Sequence, residues 1–281
     1  MSSIQQALLC ASSGAAGPTW TSGGSMATAR LYLAGAGTQT AGLAISGITA
    51  LTSTEEYNGT SWAAGGAMTT GRNSLAGAGI QTAALSIGGL DGATDMATTE
   101  EYDGTTWTSG GNLAVARKEL SAAGTQTAGL SIGGRVGSAV NTTEEYDGTS
   151  WSAGGNLPAT RQSHCGFGTQ TAGTAAGGDI ASGGASNSTS EYDGTSWAAG
   201  GHLPAANTYL AGAGTQTAGL SFGGNISGVS ATSQTYNGTA WTAVGNLLAP
   251  IYIHAGCGTT TAGLSFGGSN VTIKTATEEY A

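Results

Sequence analysis

The chain has 281 residues, 51 of them glycine, with only 8% charged residues and a formal net charge of −9. Its seven basic residues form no cluster, which excludes the cationic footprint that nucleic-acid binding requires. No apolar run reaches the roughly 20 residues that a membrane-spanning helix needs.

From the N-terminus, the segment MSSIQQALLCASSGAAG holds a short apolar patch from Ala7 to Cys10 with no basic residue ahead of it. It is a poor secretory signal, and Leu9 directly before Cys10 argues against a lipoprotein cleavage site. Residues 1–17 are expected to stand apart as an arm, and residues 18–281 to form one domain. That domain is marked by six tryptophans, Trp20, Trp62, Trp107, Trp151, Trp197 and Trp241, at intervals of 42, 45, 44, 46 and 44 residues. A period of this size is the signature of a β-propeller, with one four-stranded blade written per repeat. A lone blade cannot bury its own faces, so the repeats belong to a single closed ring.

Within the second repeat the spacing predicts strand A over Leu75 to Gly79 and strand B over Ala84 to Gly89. Strand C follows over Thr99 to Tyr102, and strand D begins at Trp107. Between C and D stand Asn58-Gly59, Asp103-Gly104, Asp147-Gly148, Asp193-Gly194 and Asn237-Gly238. Such dipeptides between extended segments predict hairpins with type I′ turns. The two ends of the chain complement one another. Trp20 has no Glu-Glu-Tyr before it, whereas the chain finishes on Thr277-Glu278-Glu279-Tyr280 with no tryptophan after it. The expected fold is therefore all-β: a six-bladed β-propeller of four antiparallel strands per blade. Its ring is closed by an N-terminal strand D pairing with a C-terminal strand C.

In Gly88-Gly89…Tyr102…Trp107…Arg117 and Gly133-Gly134…Tyr146…Trp151…Arg161 the landmarks stand in the order of the Kelch repeat, which the chain resembles over most of its length. It departs from that pattern in a short, uniform tyrosine-to-tryptophan gap. The wording EYDGTSW with AGAGTQTAGLSIGG is also similar to Kelch-like repeat proteins encoded by tailed phages of aquatic bacteria. That resemblance implies a virion component on the tail or the head surface.

Arg30, Arg72, Arg117 and Arg161 share one repeat position, filled by Asn207 and Ile251 in the last two copies. Directly before tyrosine stand Glu56, Glu101, Glu145, Glu191, Thr235 and Glu279. The copy with Asn207 in place of arginine also has Thr235 in place of glutamate, so a structural ion pair within each blade is expected. The competing reading is an arginine ring for an anionic sugar, as in sialidases. The sialidase Asp box, however, differs in spacing from Asp103-Gly104-Thr105-Thr106-Trp107. His164 and His254 occupy a position that leucine fills elsewhere. With Tyr252, Cys165 and Cys257 they offer some of the residue types of a copper oxidase of the galactose-oxidase kind, but the cysteines fall in blades 4 and 6. No nucleophile–base pair, metal spacing or phosphate loop is present, so no enzyme activity, metal or cofactor is expected. The three cysteines, Cys10, Cys165 and Cys257, read as free thiols of a chain made in a reducing cytoplasm.

The A–B and C–D turns barely vary between copies, whereas the B–C loops diverge in length and content. Loops on a rigid scaffold are where recognition usually lies, and Asp91, Asp95, Arg135, Asp179, Asn225 and Lys274 are the candidate ligand-binding residues there. The expected function is that of a non-enzymatic virion protein, docked to other virion proteins through the arm and contacting a host-surface glycan. The alternative is a lectin-like carbohydrate-binding propeller.

Overall fold

The structure, a computed structural model, describes residues 17–49, 51–181 and 183–281. The expected arm, like Cys10, lies outside the described residues but for Gly17. Among the described residues, six four-stranded antiparallel sheets form the blades of a β-propeller, and there is no helix. The innermost strands, A, are Ala34–Thr38, Ala76–Ile80, Ser121–Thr125, Cys165–Thr169, Ala211–Thr215 and Ala255–Thr259. Each lies against the A strands of both neighbouring blades, so the six ring a common axis. Their small residues follow from that convergence. A Cβ on Gly77 would sit 2.7 Å from the Gly35 carbonyl oxygen, an approach that only glycine permits.

The B strands, such as Ala83–Ile87 and Ala128–Ile132, are sandwiched between neighbouring blades. Both faces are therefore covered, and the usual polar–apolar alternation gives way to a continuous run of small and apolar residues. Leu43, Leu85, Leu130, Leu220 and Leu264 on these strands are fully buried. The apolar clusters span blade boundaries: Leu43 and Ile45 of blade 1 pack with Leu75, Tyr102 and Trp107 of blade 2. Burying one such leucine stabilises by roughly 1.5–3 kcal/mol, so cohesion of the ring is chiefly an inter-blade property.

The C strands are Thr54–Tyr57, Thr99–Tyr102, Thr143–Tyr146, Thr189–Tyr192, Ser233–Tyr236 and Thr277–Tyr280, and a three-residue D strand starts at each tryptophan. Tyrosine and tryptophan lie directly opposite one another, with Tyr102 and Trp107 ring centroids 4.8 Å apart. This register corrects the expected turn. The hairpin closes over four residues, not two, and only the glycine has positive φ, as in Gly104 at 90°. The aspartate is freed to cap the loop: Asp103 Oδ1 accepts from the N–H groups of Thr105 and Thr106 at 2.8 and 2.7 Å. These bonds hold the Asp103 carboxyl below its usual range, led by the one from Thr106.

The ring closes as the two chain ends require. Trp20 pairs with Tyr280, Thr21 with Glu279 and Ser22 with Glu278, making Trp20–Ser22 strand D of the sixth blade. The expected arginine–glutamate pairing needs correction. Arg30, Arg72 and Arg117 each pair within their blade, but with Glu55, Glu100 and Glu144, one residue before the glutamates expected. Successive strand residues point to opposite faces. Glu55 therefore turns inward to its own arginine, while Glu56 faces the next blade and accepts from the Tyr102 hydroxyl at 2.6 Å.

Candidate functional site at the loop end of the axis

Strand direction places the A–B and C–D turns at one end of the ring, where Gly59 packs on Thr40 and Gly104 on Thr82. The B–C loops and D–A connections share the other end. There each D–A connection bridges to the start of its own B–C loop: Asn73 to Leu90, Lys118 to Arg135, Gln162 to Asp179 and Thr208 to Asn225. The turn end repeats one capped hairpin in five of the six blades. The loop end differs in every blade.

Two B–C loops form small ribbons, Leu90–Asp91 against Thr94–Asp95 and Arg135–Val136 against Ser138–Ala139. On them Asp91 is exposed, and Asp95 Oδ1 lies 2.8 Å from Lys118 Nζ in an ion pair. Arg135 Nε lies 3.6 Å from Glu119 Oε1. Arg135 and Asp179 line one groove of about 360 Å3 between the loops of blades 3 and 4, with Gln162 in its wall. Burial raises the Asp179 carboxyl above its usual range. Asp95, Arg135 and Asp179 thus share one sector of the loop end. Asp91 stands on the same ribbon as Asp95, whereas Asn225 and Lys274 lie outside this sector: Asn225 Oδ1 accepts from Gly228 N–H at 3.0 Å in its own loop, and Lys274 Nζ donates to Thr272 Oγ1 at 3.0 Å.

The sequence reading missed the residues nearest the axis. Two positions after each arginine or its replacement stand Tyr32, Ser74, Glu119, Ser163, Tyr209 and Ile253, all in the left-handed region with φ between 53° and 57°. Their backbones close a ring. Ser74 N–H donates to Tyr32 C=O, Glu119 to Ser74, Ser163 to Glu119, Tyr209 to Ser163, Ile253 to Tyr209, and Tyr32 to Ile253. Left-handed backbone is disfavoured by roughly 1–2 kcal/mol for a residue with a Cβ; here the cyclic hydrogen bonds hold it. The signal was present as a fixed offset from the arginine, but it is a column in which little repeats and so looks like noise.

These six residues surround the mouth of an axial cavity of about 100 Å3. Tyr209 meets Tyr32 and Tyr252 edge-on, each pair with centroids 6.3 Å apart. Burial, with Tyr209 and Glu119 nearby, pushes the Tyr32 hydroxyl up to about 12. Glu119 Oε2 accepts from Ser163 Oγ at 3.1 Å. Leu33, Leu75, Leu120 and Leu210 line the cavity with His164 and His254, the two histidines singled out from the sequence. His164 Nε2 lies 2.7 Å from Ser121 Oγ. Burial depresses both imidazoles, His254 to about 3, so both are neutral.

Blade 5 stands between the two histidines, and among the described residues no three His, Cys, Asp or Glu side chains come together as metal ligands. Cys165 and Cys257 are buried free thiols pushed up to about 12 by desolvation, which leaves them unreactive at neutral pH. Neither a protein-family model nor a curated protein matches this sequence.

Proposed function

We propose that this propeller is a non-enzymatic recognition protein whose loop end is the binding surface. One observation carries the reading: the contrast between the two ends of the ring. The turn end repeats the same capped hairpin, whereas the loop end gathers Lys118–Asp95, Arg135–Glu119, Asp179 and three tyrosines into one asymmetric patch. A scaffold that served only to fill space would have no reason to concentrate its chemistry at one end.

The order Gly-Gly, Tyr, Trp, Arg supports a Kelch-type repeat, and the phage-like wording of the repeats supports a place on a virion. In that setting the loop end faces the host and the N-terminal segment docks to other virion proteins. Serum raised against the chain should then decorate heads or tails of phage particles purified from cultures that produce it. Label left wholly in the soluble fraction would overturn the virion assignment. The second reading is a lectin independent of any particle, favoured by the tyrosine-lined mouth, and it predicts that soluble outcome together with glycan binding.

A further inference from the structure

The ring of six left-handed residues has two properties that do not follow from the fold. The first is that none of the six is glycine. A chain with 51 glycines has placed tyrosine, serine, glutamate and even β-branched isoleucine where glycine carries no steric penalty. Side chains are retained there against the local conformational preference, and sustained backbone strain of this kind clusters at ligand sites. The second is asymmetry. The A strands just below are nearly uniform, while the ring reads Tyr, Ser, Glu, Ser, Tyr, Ile. Six equivalent backbones present an unequal set of groups to one axial cavity.

The chemistry of those groups selects a ligand. Arg135 offsets the Glu119 carboxylate and Lys118 offsets Asp95 beside it, so the one charge left over near the mouth is that of Asp179 in the adjoining groove, which disfavours an anionic ligand. The buried histidines below are neutral. What remains is the edge-packed tyrosine set for an apolar surface, and Glu119, Ser74, Ser163 and the tyrosine hydroxyls for hydrogen bonds. A pyranose presents such a combination: an apolar C–H face and a rim of hydroxyls. The cavity of about 100 Å3 takes one end of a sugar ring, and the groove beside Arg135 and Asp179 leaves room for the units that follow.

We propose that the axial mouth binds the terminal unit of a neutral saccharide, its C–H face against the Tyr209 ring, with Tyr32 standing near-perpendicular beside it and vicinal hydroxyls donating to Glu119. This rests on the reading of the loop end as the recognition surface, and it names the ligand class and the place.

The test is a glycan array probed with the full chain, Tyr209→Ala, Glu119→Gln and a turn-end control, Thr149→Ala. Near-UV circular dichroism of the tryptophans verifies that each variant is folded. Binding to uncharged glycans that weakens about tenfold or more in both loop-end variants and not in the control supports the site, since losing a hydrogen bond to a charged group is worth about that much. Competition by free monosaccharide separates recognition of the terminal unit from recognition of an extended polymer; failure of any monosaccharide to compete overturns the terminal-unit assignment. Binding confined to sialylated or sulfated glycans, or unchanged in both variants, overturns the axial neutral-sugar site and leaves loop-end recognition standing. If no glycan binds, the saccharide inference fails, and adsorption of the chain to host cells decides the broader reading separately.

Discussion

The carboxylate two residues before each blade tyrosine accepts a backbone N–H three residues ahead of the arginine position: Ala27 to Glu55, Thr69 to Glu100, Ala114 to Glu144 and Leu248 to Glu278. In blades 4 and 5 that position is Pro158 or Pro204, which has no N–H, and the carboxylate is replaced by Ser190 or Gln234. The glutamate thus follows the N–H donor in all six blades, whereas it parts from the arginine in blades 4 and 6. Arg161 is left buried without a carboxylate. It donates to Ala175 C=O at 2.8 Å and Ser188 Oγ at 2.6 Å, and burial lowers it to about 10. Ser190→Glu combined with Pro158→Ala should therefore stabilise blade 4 by more than the two single changes summed, with a coupling of about 1 kcal/mol in a urea double-mutant cycle. Additive effects would show that the N–H does not govern the carboxylate. The histidines give a second expectation. Their folded forms resist protonation, so below about pH 6.5 the unfolded chain binds more protons, and stability falls with pH from there towards about 3. Replacing both by leucine, the residue of the other four blades, with Ser121→Ala to remove the hydroxyl left unpaired, should flatten the dependence of the urea midpoint between about pH 7 and 4; an unchanged slope would assign it to the carboxylates. The arginine–glutamate error shows a limit of pattern reading: period and composition identify two adjacent glutamates, but strand alternation decides which faces inward.

At the scale of the blade, adjoining sheets are stitched by three recurring hydrogen bonds. Tryptophan Nε1 donates to the hydroxyl that opens the preceding blade's C strand, as in Trp107 to Thr54 at 3.0 Å. A tyrosine hydroxyl donates to the preceding blade's glutamate, as in Tyr146 to Glu101 at 2.5 Å. A glutamine on the A–B turn donates to two carbonyls of the preceding blade, as Gln126 does to Ala84 and Tyr102. The seam between blades 5 and 6 keeps only the first, from Trp20 to Ser233 at 2.9 Å. Thr235 replaces the glutamate and Thr260 the glutamine, leaving one hydroxyl bond to Ala218 C=O. Val244 stands where the other blades have a glycine whose Cβ would meet the tyrosine hydroxyl at 2.6–2.9 Å. A side chain at 244 denies Tyr280 the place its counterparts occupy, so Val244 and Thr235 act together on the lost hydroxyl bond. This seam should be the first to open. Amides of Trp20–Ser22 should exchange with solvent faster than those of the other D strands, and Val244→Gly with Thr235→Glu and Thr260→Gln should slow them about tenfold, the worth of one or two recovered hydrogen bonds. Equal exchange in all six D strands of the unaltered chain would refute this.

Across the whole molecule, the architecture was legible because a closed ring leaves a periodic trace: six tryptophans count the blades, and unmatched ends reveal the closing blade. The axial mouth was not legible, because it is built where the repeat is least repetitive and its residues meet only after the ring has closed. Closure also has a mechanical consequence. The strand that seals the ring, Trp20–Ser22, lies across the seam of blades 5 and 6, so the strand that closes the ring and the missing polar contacts coincide. Ala281 N–H already donates to Thr19 C=O at 3.2 Å, the bond that Asp103 N–H makes to Thr106 C=O in blade 2, and Thr19 N–H donates to Ala281 C=O at 2.9 Å. Joining Ala281 directly to Gly17 would place Ala281, Gly17, Pro18 and Thr19 in the four positions of that loop, with Gly17 where the other loops carry their positive-φ glycine. A permuted chain so joined, and opened instead between Asp147 and Gly148, would transfer the break to the seam of blades 2 and 3. There Trp151–Thr99, Tyr146–Glu101 and the Gln126 bonds are all in place. Its sealing strand would be held by the full set, and about 1–2 kcal/mol of recovered anchoring should raise the melting temperature by several degrees. A permutant that melts at or below the temperature of the parent residues 17–281 would mean that the seam of blades 5 and 6 is compensated by apolar packing of Trp20 on Phe222, whose centroids are 4.9 Å apart. The weak point of the ring would then lie elsewhere.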